Sequence, residues 1–474
     1  MTLALARAPC EGRPHGPPAP APPLRGALVL AATVLGSSIA FIDASALSVA
    51  LPAIRTDLRA SVADMSWVVN AYVLLLASLI LLGGALGDRY GRRRMFVAGV
   101  VLFAGASLLC ALAPDARSLI AARALKGVGG ALLVPNSLAI LSAAFPRETR
   151  GRAIGTWSGF AALTGAGGPV VGGWLVELWG WPSVFLLNPP IAALAVGLAV
   201  MFVPESRGGE DRSLPLDWPG AGLATGGLGA AAFGLVRLGE GERDALSWGA
   251  LGAGVLVFGA FLLWERRSKA PAVPLELFRA RTFAGVNAVT ALLYAGLGGA
   301  LFLAPFELME REGYSAAAAG AAFLPFSLPL GLLSGAVGAN LGRIGVRGPL
   351  TLGAIITAAA LAGMALIAGR ELPYFAGWFW VFAGLGAGMT LVVAPLTTAV
   401  FNSVPDAQGG TASGVNNAVT RTAQLLAVAV FGGAAATGGF REVALACAAL
   451  ALAAAVTAWI TVRDRDAAGS SFKD

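Results

Sequence analysis

The chain has 474 residues, 57% of them hydrophobic and only 12% charged, and a mean hydropathy of +0.75 argues against a soluble globular fold and for a membrane protein that crosses the bilayer many times. The formal net charge of +7 does not point to nucleic acid, because the basic residues lie in short patches between apolar segments, as orientation toward a cytoplasmic leaflet requires. Three widely separated cysteines (Cys10, Cys110, Cys447) and a single histidine, His15, argue against a disulfide framework, a metal site or histidine catalysis, so no cofactor or metal is expected.

Residues 1–26 are Pro-rich, contain Glu11 and lack the apolar core and small-residue cleavage site of a signal peptide, so a disordered cytoplasmic tail is expected. Apolar runs of about 18–25 residues then predict an all-α membrane protein with spans at 27–51, 66–87, 95–113, 117–142, 153–175, 183–203, 219–237, 246–264, 283–305, 316–339, 349–368, 374–400, 410–431 and 441–462. Fourteen transmembrane helices put both termini on one side. Two-thirds of the 33 lysines and arginines fall in the tails and in the loops on that side, which predicts cytoplasmic termini in an inner cell membrane.

The loops after spans 2 and 10 repeat an R-x-G-x-R pattern: Gly84, Arg89, Gly91 and Arg93 match Gly338, Arg343, Gly345 and Arg347. Equivalent positions in the membrane suggest two six-helix bundles, 27–205 and 282–463, separated by an inserted two-helix segment, 206–281, and followed by a tail, 464–474. The insert is flanked by the polar stretches PESRGGEDRS and ERRSKAPAVPLELFRAR.

Several polar residues interrupt the spans. In span 1, Asp43 opens DASALSVALP, and a rise of about 1.5 Å per residue puts it about 24 Å along the helix, in its outer half. Span 4 carries Arg123 and Lys126 within RALKGVGGA, each costing about 2.5–3.5 kcal/mol at a helix centre. Running inward, span 4 places Arg123 roughly 9 Å below its outer end, level with Asp43, so that one carboxylate and two cations can compensate each other. The alternative is that Arg123 snorkels outward while Asp43 caps polar side chains. At the cytoplasmic end of span 2, GALGDRYGRRR joins a glycine turn to Asp88, Arg89, Arg92 and Arg93, which by charge alone could be a basic anchor. In span 5, GPVVGGWL places Pro169 among Gly168, Gly172 and Gly173, which predicts a bend on a closely packed seam. With no phosphate-binding loop and no membrane histidine, an ion gradient is the remaining energy source and Asp43 the first choice of proton carrier.

These motifs resemble those of the fourteen-span drug:proton antiporter branch of the major facilitator superfamily. GALGDRYGRRR is similar to the superfamily's signature loop, which implies a conformational latch formed by Gly84, Asp88, Arg89, Gly91, Arg92 and Arg93. GPVVGGWL resembles its antiporter motif, DASALSVALP its D-x-T-x-x-x-x-A-L-P motif with Ser45 in the hydroxyl position, and WPSVFLLNPP the entry to span 6 with Pro182 in place of Arg. RALKGVGGA resembles R-x-x-Q-G-x-G-x-A, in which the Arg is implicated in proton transfer, but Lys126 stands where Gln is usual. PLTTAVFNSVPDAQGGTASGVNNAVTRTAQLLAVAVFG, 395–432, is also similar to that branch. The resemblance implies alternating access, with protons and a small hydrophobic or amphipathic compound as partners and Asp43, Arg123 and Lys126 in proton coupling. It implies no enzymatic activity. An exporter dedicated to one endogenous metabolite is the alternative, with a membrane enzyme or a channel as more distant ones. Asn136, Trp157, Glu307 and Arg421 are candidates for the substrate cavity, although Glu307 could equally be a solvated residue at the outer end of span 9, and Arg421 lacks an evident partner.

Overall fold

The computed structural model describes residues 23–207, 216–268, 271, 273–370, 372–404, 409–436 and 439–463. Most of the expected N-terminal tail with Cys10 and His15, the centre of the polar stretch after the first bundle, and the tail from 464 lie outside the described residues. No β-strand occurs among the described residues. The helices are α1 (Pro23–Asp57), α2 (Val62–Tyr90), α3 (Arg92–Ala111), α4 (Ala116–Ala144), α5 (Arg147–Trp179), α6 (Pro182–Leu186), α7 (Asn188–Phe202), α8 (Trp218–Gly239), α9 (Ala245–Arg267), α10 (Arg281–Phe306), α11 (Ala316–Ala322), α12 (Leu324–Ile344), α13 (Arg347–Ile367), α14 (Trp378–Asn402), α15 (Gly409–Ala436) and α16 (Phe440–Thr461). Among the described residues, thirteen helical segments are long and apolar enough to cross a membrane, with α6 and α7 forming one of them. The 28-residue α15, which carries Asn416, Asn417, Arg421 and Gln424, is not among the thirteen.

Prolines set the interruptions. The passage over 182–202 breaks at Leu187, before Pro189 and Pro190, neither of which has an N–H to donate. The run expected as one span over 316–339 is broken at Phe323, two residues before Pro325, so it forms the seven-residue α11 followed by α12. Pro52 and Pro169, by contrast, lie inside α1 and α5. The helix expected to end near 305 runs on through a π-helical turn, Glu307–Arg311.

Side-chain contacts sort the helix ends onto two faces. On one, Arg25 Nε donates to Phe202 O (3.4 Å), Arg92 N to Ser206 O (2.9 Å) and Arg281 Nη2 to Ile460 O (3.3 Å). Both ends of the described chain lie here, so it is called the terminal face. On the far face, Trp181 Nε1 donates to Asp57 Oδ2 (2.7 Å), and Arg55 pairs with Glu310 (2.7 Å).

The helix pairings repeat along the chain. The contacts α1–α5, α1–α7, α2–α4, α3–α4 and α3–α7 recur as α10–α15, α10–α16, α12–α14, α13–α14 and α13–α16. Across the seam, α2 meets α15 and α12 meets α5, a reciprocal pair under the same correspondence. The repeated glycines behave alike: Gly91, between α2 and α3, has φ +118°, and Gly345, between α12 and α13, has φ +73°. The arginine two residues after each glycine docks at the last helix of its own set. Arg93 Nη1 donates to Val203 O (3.2 Å), and the Arg347 guanidinium stacks 3.7 Å over Trp459. The α8–α9 hairpin packs through α8 on both α2 and α15, and so lies beside that seam.

Candidate functional site

Asp43, Arg123 and Lys126 meet in a buried group between α1 and α4, where each is at most 1% exposed. Arg123 Nη1 donates to Asp43 Oδ2 at 2.6 Å, and Lys126 Nζ donates to Asp43 Oδ1. Asn188 Nδ2 reaches Asp43 Oδ1 and Ser107 Oγ at 3.3 Å each, and Arg123 Nε donates to Val68 O at 2.9 Å. Arginine and lysine can share the carboxylate because a helix places residues three apart on one face. Two cations against one carboxylate leave one formal positive charge over. Aromatic rings take it up: the Arg123 guanidinium lies 4.4 Å over Tyr72, and Lys126 Nζ lies 4.6 Å from the Phe103 ring centroid and 4.8 Å from that of Phe185. Helices α1, α2, α3, α4, α6 and α7 all contribute, so a change of charge here is felt throughout the first set.

The glycines of GPVVGGWL tie this pocket to the second set of helices. A Cβ on Gly168 would collide with Ser45 Oγ, and one on Gly172 would lie 2.7 Å from Ala46 Cβ, so this face of α5 lies against α1 two or three residues from Asp43. On the adjacent face, a Cβ on Gly173 would strike Ala316 O, and Gly320 abuts Pro169 O, so the same turns of α5 also lie against α11.

Contacts at the far face join the two sets. Arg55 Nη1 contacts both oxygens of Glu310 (2.9 and 2.7 Å), and Glu177 Oε2 accepts from Ser315 Oγ (2.8 Å) and Ala317 N (3.0 Å). Nearby, burial pushes the Glu312 carboxyl up while the hydrogen bond from Trp378 Nε1 (2.8 Å) opposes it. Toward the terminal face, Gly155 and Gly159 of α5 and Gly335 and Gly342 of α12 have open space beside them.

The basic loop is built around one turn. Asp88 Oδ1 accepts from Arg92 Nε (2.9 Å), and Arg92 Nη1 reaches Ala139 O (3.4 Å). Arg93 N donates to Glu205 Oε1 at 3.0 Å, and Glu205 Oε2 is 3.7 Å from Arg94 Nε. Arg89 is exposed and its guanidinium lies 5.8 Å over Tyr90, while Gly84 faces Pro135. These bonds stay within the first set of helices.

The four residues expected to line a cavity fall in different places. Asn136 is buried at the α2–α4 crossing, where Nδ2 donates to Gly83 O (2.9 Å) and Leu132 O (2.7 Å), so it clamps two helices. Trp157 Nε1 donates to Ser37 Oγ (3.1 Å), and its ring meets Phe41 edge-on, which fastens α5 to α1. Glu307 is buried rather than solvated, 3.5 Å from Arg311, beside a cavity of about 40 Å³ lined by Arg55, Glu310 and Phe440 at the far face. Arg421 is part-buried on α15, and its side-chain partner is Gln424 Oε1 at 3.3 Å. Sequence reasoning missed the site roles of Glu177, Glu205, Ser107 and Asn188. A glutamate at a helix end carries no burial cost, and hence no sequence signal.

Residues 33–428 match the family described as the Major Facilitator Superfamily. The chain is 32% identical over 417 residues to a tetracenomycin C resistance and export protein of Streptomyces glaucescens, covering 87% of this chain and 77% of that one. It is 34% identical over 415 residues to the multidrug resistance protein Stp of Mycobacterium tuberculosis (85% and 75% covered), and 31% identical over 414 residues to a methylenomycin A resistance protein of Bacillus subtilis (86% and 87% covered). Among solved structures, an auto-inhibited POT family peptide transporter superposes with a TM-score of 0.67 at 17% identity (95% and 98% covered). A D-xylose-proton symporter superposes with a TM-score of 0.66 at 16% identity (92% and 98% covered). At such identities the likeness bears on the fold alone.

Proposed function

The chain belongs to the Major Facilitator Superfamily, and on that premise we propose that it is a proton-coupled exporter of small hydrophobic or amphipathic compounds, of the kind its relatives' names describe. Fourteen spans carry it, with the 28-residue α15 crossing beside the other thirteen. They form two six-helix bundles, 27–205 and 282–463, with α8 and α9 as the inserted pair. The excess of lysine and arginine on the terminal face makes that face cytoplasmic in an inner cell membrane. The far-face contacts of Arg55 and Glu177, with open space beside glycines of α5 and α12 toward the cytoplasm, correspond to an inward-facing state.

The observation that carries coupling is the buried group of Asp43, Arg123 and Lys126. An isolated ion in a dry site costs several kcal/mol, so the protonation of Asp43 and its pairing with the two cations depend on each other. In the outward-facing state proton uptake by Asp43 releases the cations, and loss of the proton inward restores the pairing. Gly168, Pro169, Gly172 and Gly173 transmit the change, because the same turns of α5 touch α1 beside Asp43 and α11 of the other bundle. The loop holding Gly84, Asp88, Arg89, Gly91, Arg92 and Arg93 acts as the cytoplasmic latch. Its bonds within the first bundle, and the exposure of Arg89, correspond to the latch being open in the inward-facing state.

Cells expressing the protein are expected to accumulate less tetracenomycin C, puromycin or methylenomycin A than control cells, and an uncoupler should abolish the difference. Asp43→Asn and Arg123→Ala proteins, shown to be folded and in the membrane, should lose export driven by a pH gradient in everted vesicles. Undiminished coupled export by both variants would refute the assignment of the coupling site. Unchanged accumulation of the whole panel in wild-type cells would refute export of these compounds.

A further inference from the structure

The buried group leaves one positive charge over, and a second lies across the seam on α15. Ser413, Asn417, Thr420, Arg421 and Gln424 recur at helical spacing on one face of α15, where Asn417 is exposed and the other four are part-buried. Ala412, Val415 and Leu425 on other faces are buried. Arg421 lies 12 residues beyond Gly409 and so about 18 Å along the helix, too deep to snorkel comfortably. Its five N–H groups have one side-chain bond, to Gln424, and among the described residues no carboxylate lies within ion-pair distance. A polar stripe with an unpaired guanidinium at this depth is not stable against hydrocarbon, so it faces the cleft between the bundles. Helix α15 packs on α2 and α10, and a Cβ on Gly298, one turn beyond Tyr294 on α10, would lie 3.3 Å from Gln424 Cγ, so this stripe of α15 lies along the Tyr294 stretch of α10.

The remaining buried acids are elsewhere: Glu265 at the cytoplasmic end of α9 and Glu307 at the far end of α10. Asp43 is therefore the one buried acid deep within a span among the described residues, and it is shared by Arg123 and Lys126. Buried charge on the two sides of the seam is thus net positive among the described residues. In a low-dielectric site such a field repels a cation and attracts an anion, while a planar guanidinium can both bond a carboxylate through two N–H groups and stack on an aromatic plane. We propose that the polar stripe of α15 is the substrate-contacting wall, and that Arg421 receives a carboxylate or phenolate of an anionic aromatic substrate beside Tyr294. This rests on the export function proposed above and narrows its substrate class.

Fluorescein and rhodamine 123 share a xanthene ring system and carry opposite charge, so the pair separates charge from shape. Fluorescence polarisation with the purified full-length chain should show fluorescein binding at least about tenfold more tightly than rhodamine 123. Arg421→Gln should weaken fluorescein by about tenfold or more and strengthen rhodamine 123. Arg421→Lys, which keeps the charge without the planar fork, should keep the sign of the preference with weaker fluorescein binding. A wild-type preference for rhodamine 123, absence of fluorescein binding, or equal loss of both dyes in a folded Arg421→Gln protein would overturn the proposal. Loss of the preference in a folded Arg421→Lys protein would overturn it too, and this arm decides should Arg421→Gln fail to fold. Cellular export of rhodamine 123 with indifference to fluorescein would overturn the anion preference and leave the export function standing; wild-type cells that export no compound of the antibiotic panel and neither dye would remove the export function itself.

Discussion

The three buried charges of the coupling site are not equivalent, and their magnitudes say which one the fold can lose. Aromatic faces contribute about 0.5–2 kcal/mol to a desolvated cation, whereas the desolvation penalty of a buried ion is several kcal/mol. The rings around Arg123 and Lys126 therefore soften the excess charge without replacing Asp43. Asp43→Asn leaves two cations buried without a carboxylate, a loss of about 3–5 kcal/mol. Lys126→Gln leaves the Arg123–Asp43 pair neutral, with an amide N–H available to Asp43, and should cost far less. Thermal unfolding followed by tryptophan fluorescence should rank Lys126→Gln well above Asp43→Asn; the reverse order would contradict this account of the pocket. Lys126→Gln should also change the pH profile of export or its substrate range, because it removes the one cation of the group able to give up a proton. A wild-type profile on both counts would show that the lysine is only tolerated.

Single elements depend on where the backbone leaves no room for a side chain. Gly91 has φ +118°, and a Cβ there would approach the Glu205 carboxyl at 2.7 Å, so the turn joining α2 to α3 needs glycine for both conformation and space. Gly91→Ala should cost about 1–3 kcal/mol and loosen Arg93 and Arg94 from Glu205. A lower melting temperature, with export impaired more than membrane insertion, is the expected result, and an unchanged melting temperature would count against it. Much at this scale was legible in the sequence. Long apolar runs are unambiguous, and a charge among them is costly enough to stand out, which is why Asp43, Arg123 and Lys126 could be placed at one depth before any coordinates. The breaks at Leu187 and Phe323 had a signal in Pro189, Pro190 and Pro325, although apolar composition runs through them unchanged. The burial of Asn136 and Glu307 had none, because hydropathy along a span does not say which neighbour a given face meets.

At the scale of the whole molecule, the question is what holds the bundles closed at the far face. Arg55 and Glu310 are each about one-third exposed, and such a pair is worth about 0–1 kcal/mol, which alone shifts a two-state equilibrium by less than tenfold. Glu177 adds two charge-assisted hydrogen bonds, to Ser315 Oγ and Ala317 N, of about 1.5–3 kcal/mol each before their own exposure is allowed for. Closure therefore depends more on Glu177 than on the ion pair, and both must be weak enough for a transporter to break in every cycle. In an Arg55→Ala, Glu177→Ala double variant the population should move by about tenfold or more toward the outward-facing state. Cysteines placed at Gly155 of α5 and Gly342 of α12 in a Cys10→Ser background have room for spin labels, and the native Cys110 and Cys447 are buried. Double electron–electron resonance between these labels should give a shorter distance in the double variant, as α5 and α12 converge at the cytoplasmic side. Glu177→Ala alone should produce most of that shortening. If Arg55→Ala alone produced it instead, the exposed pair would be the stronger contact, and the far face would open with rising ionic strength.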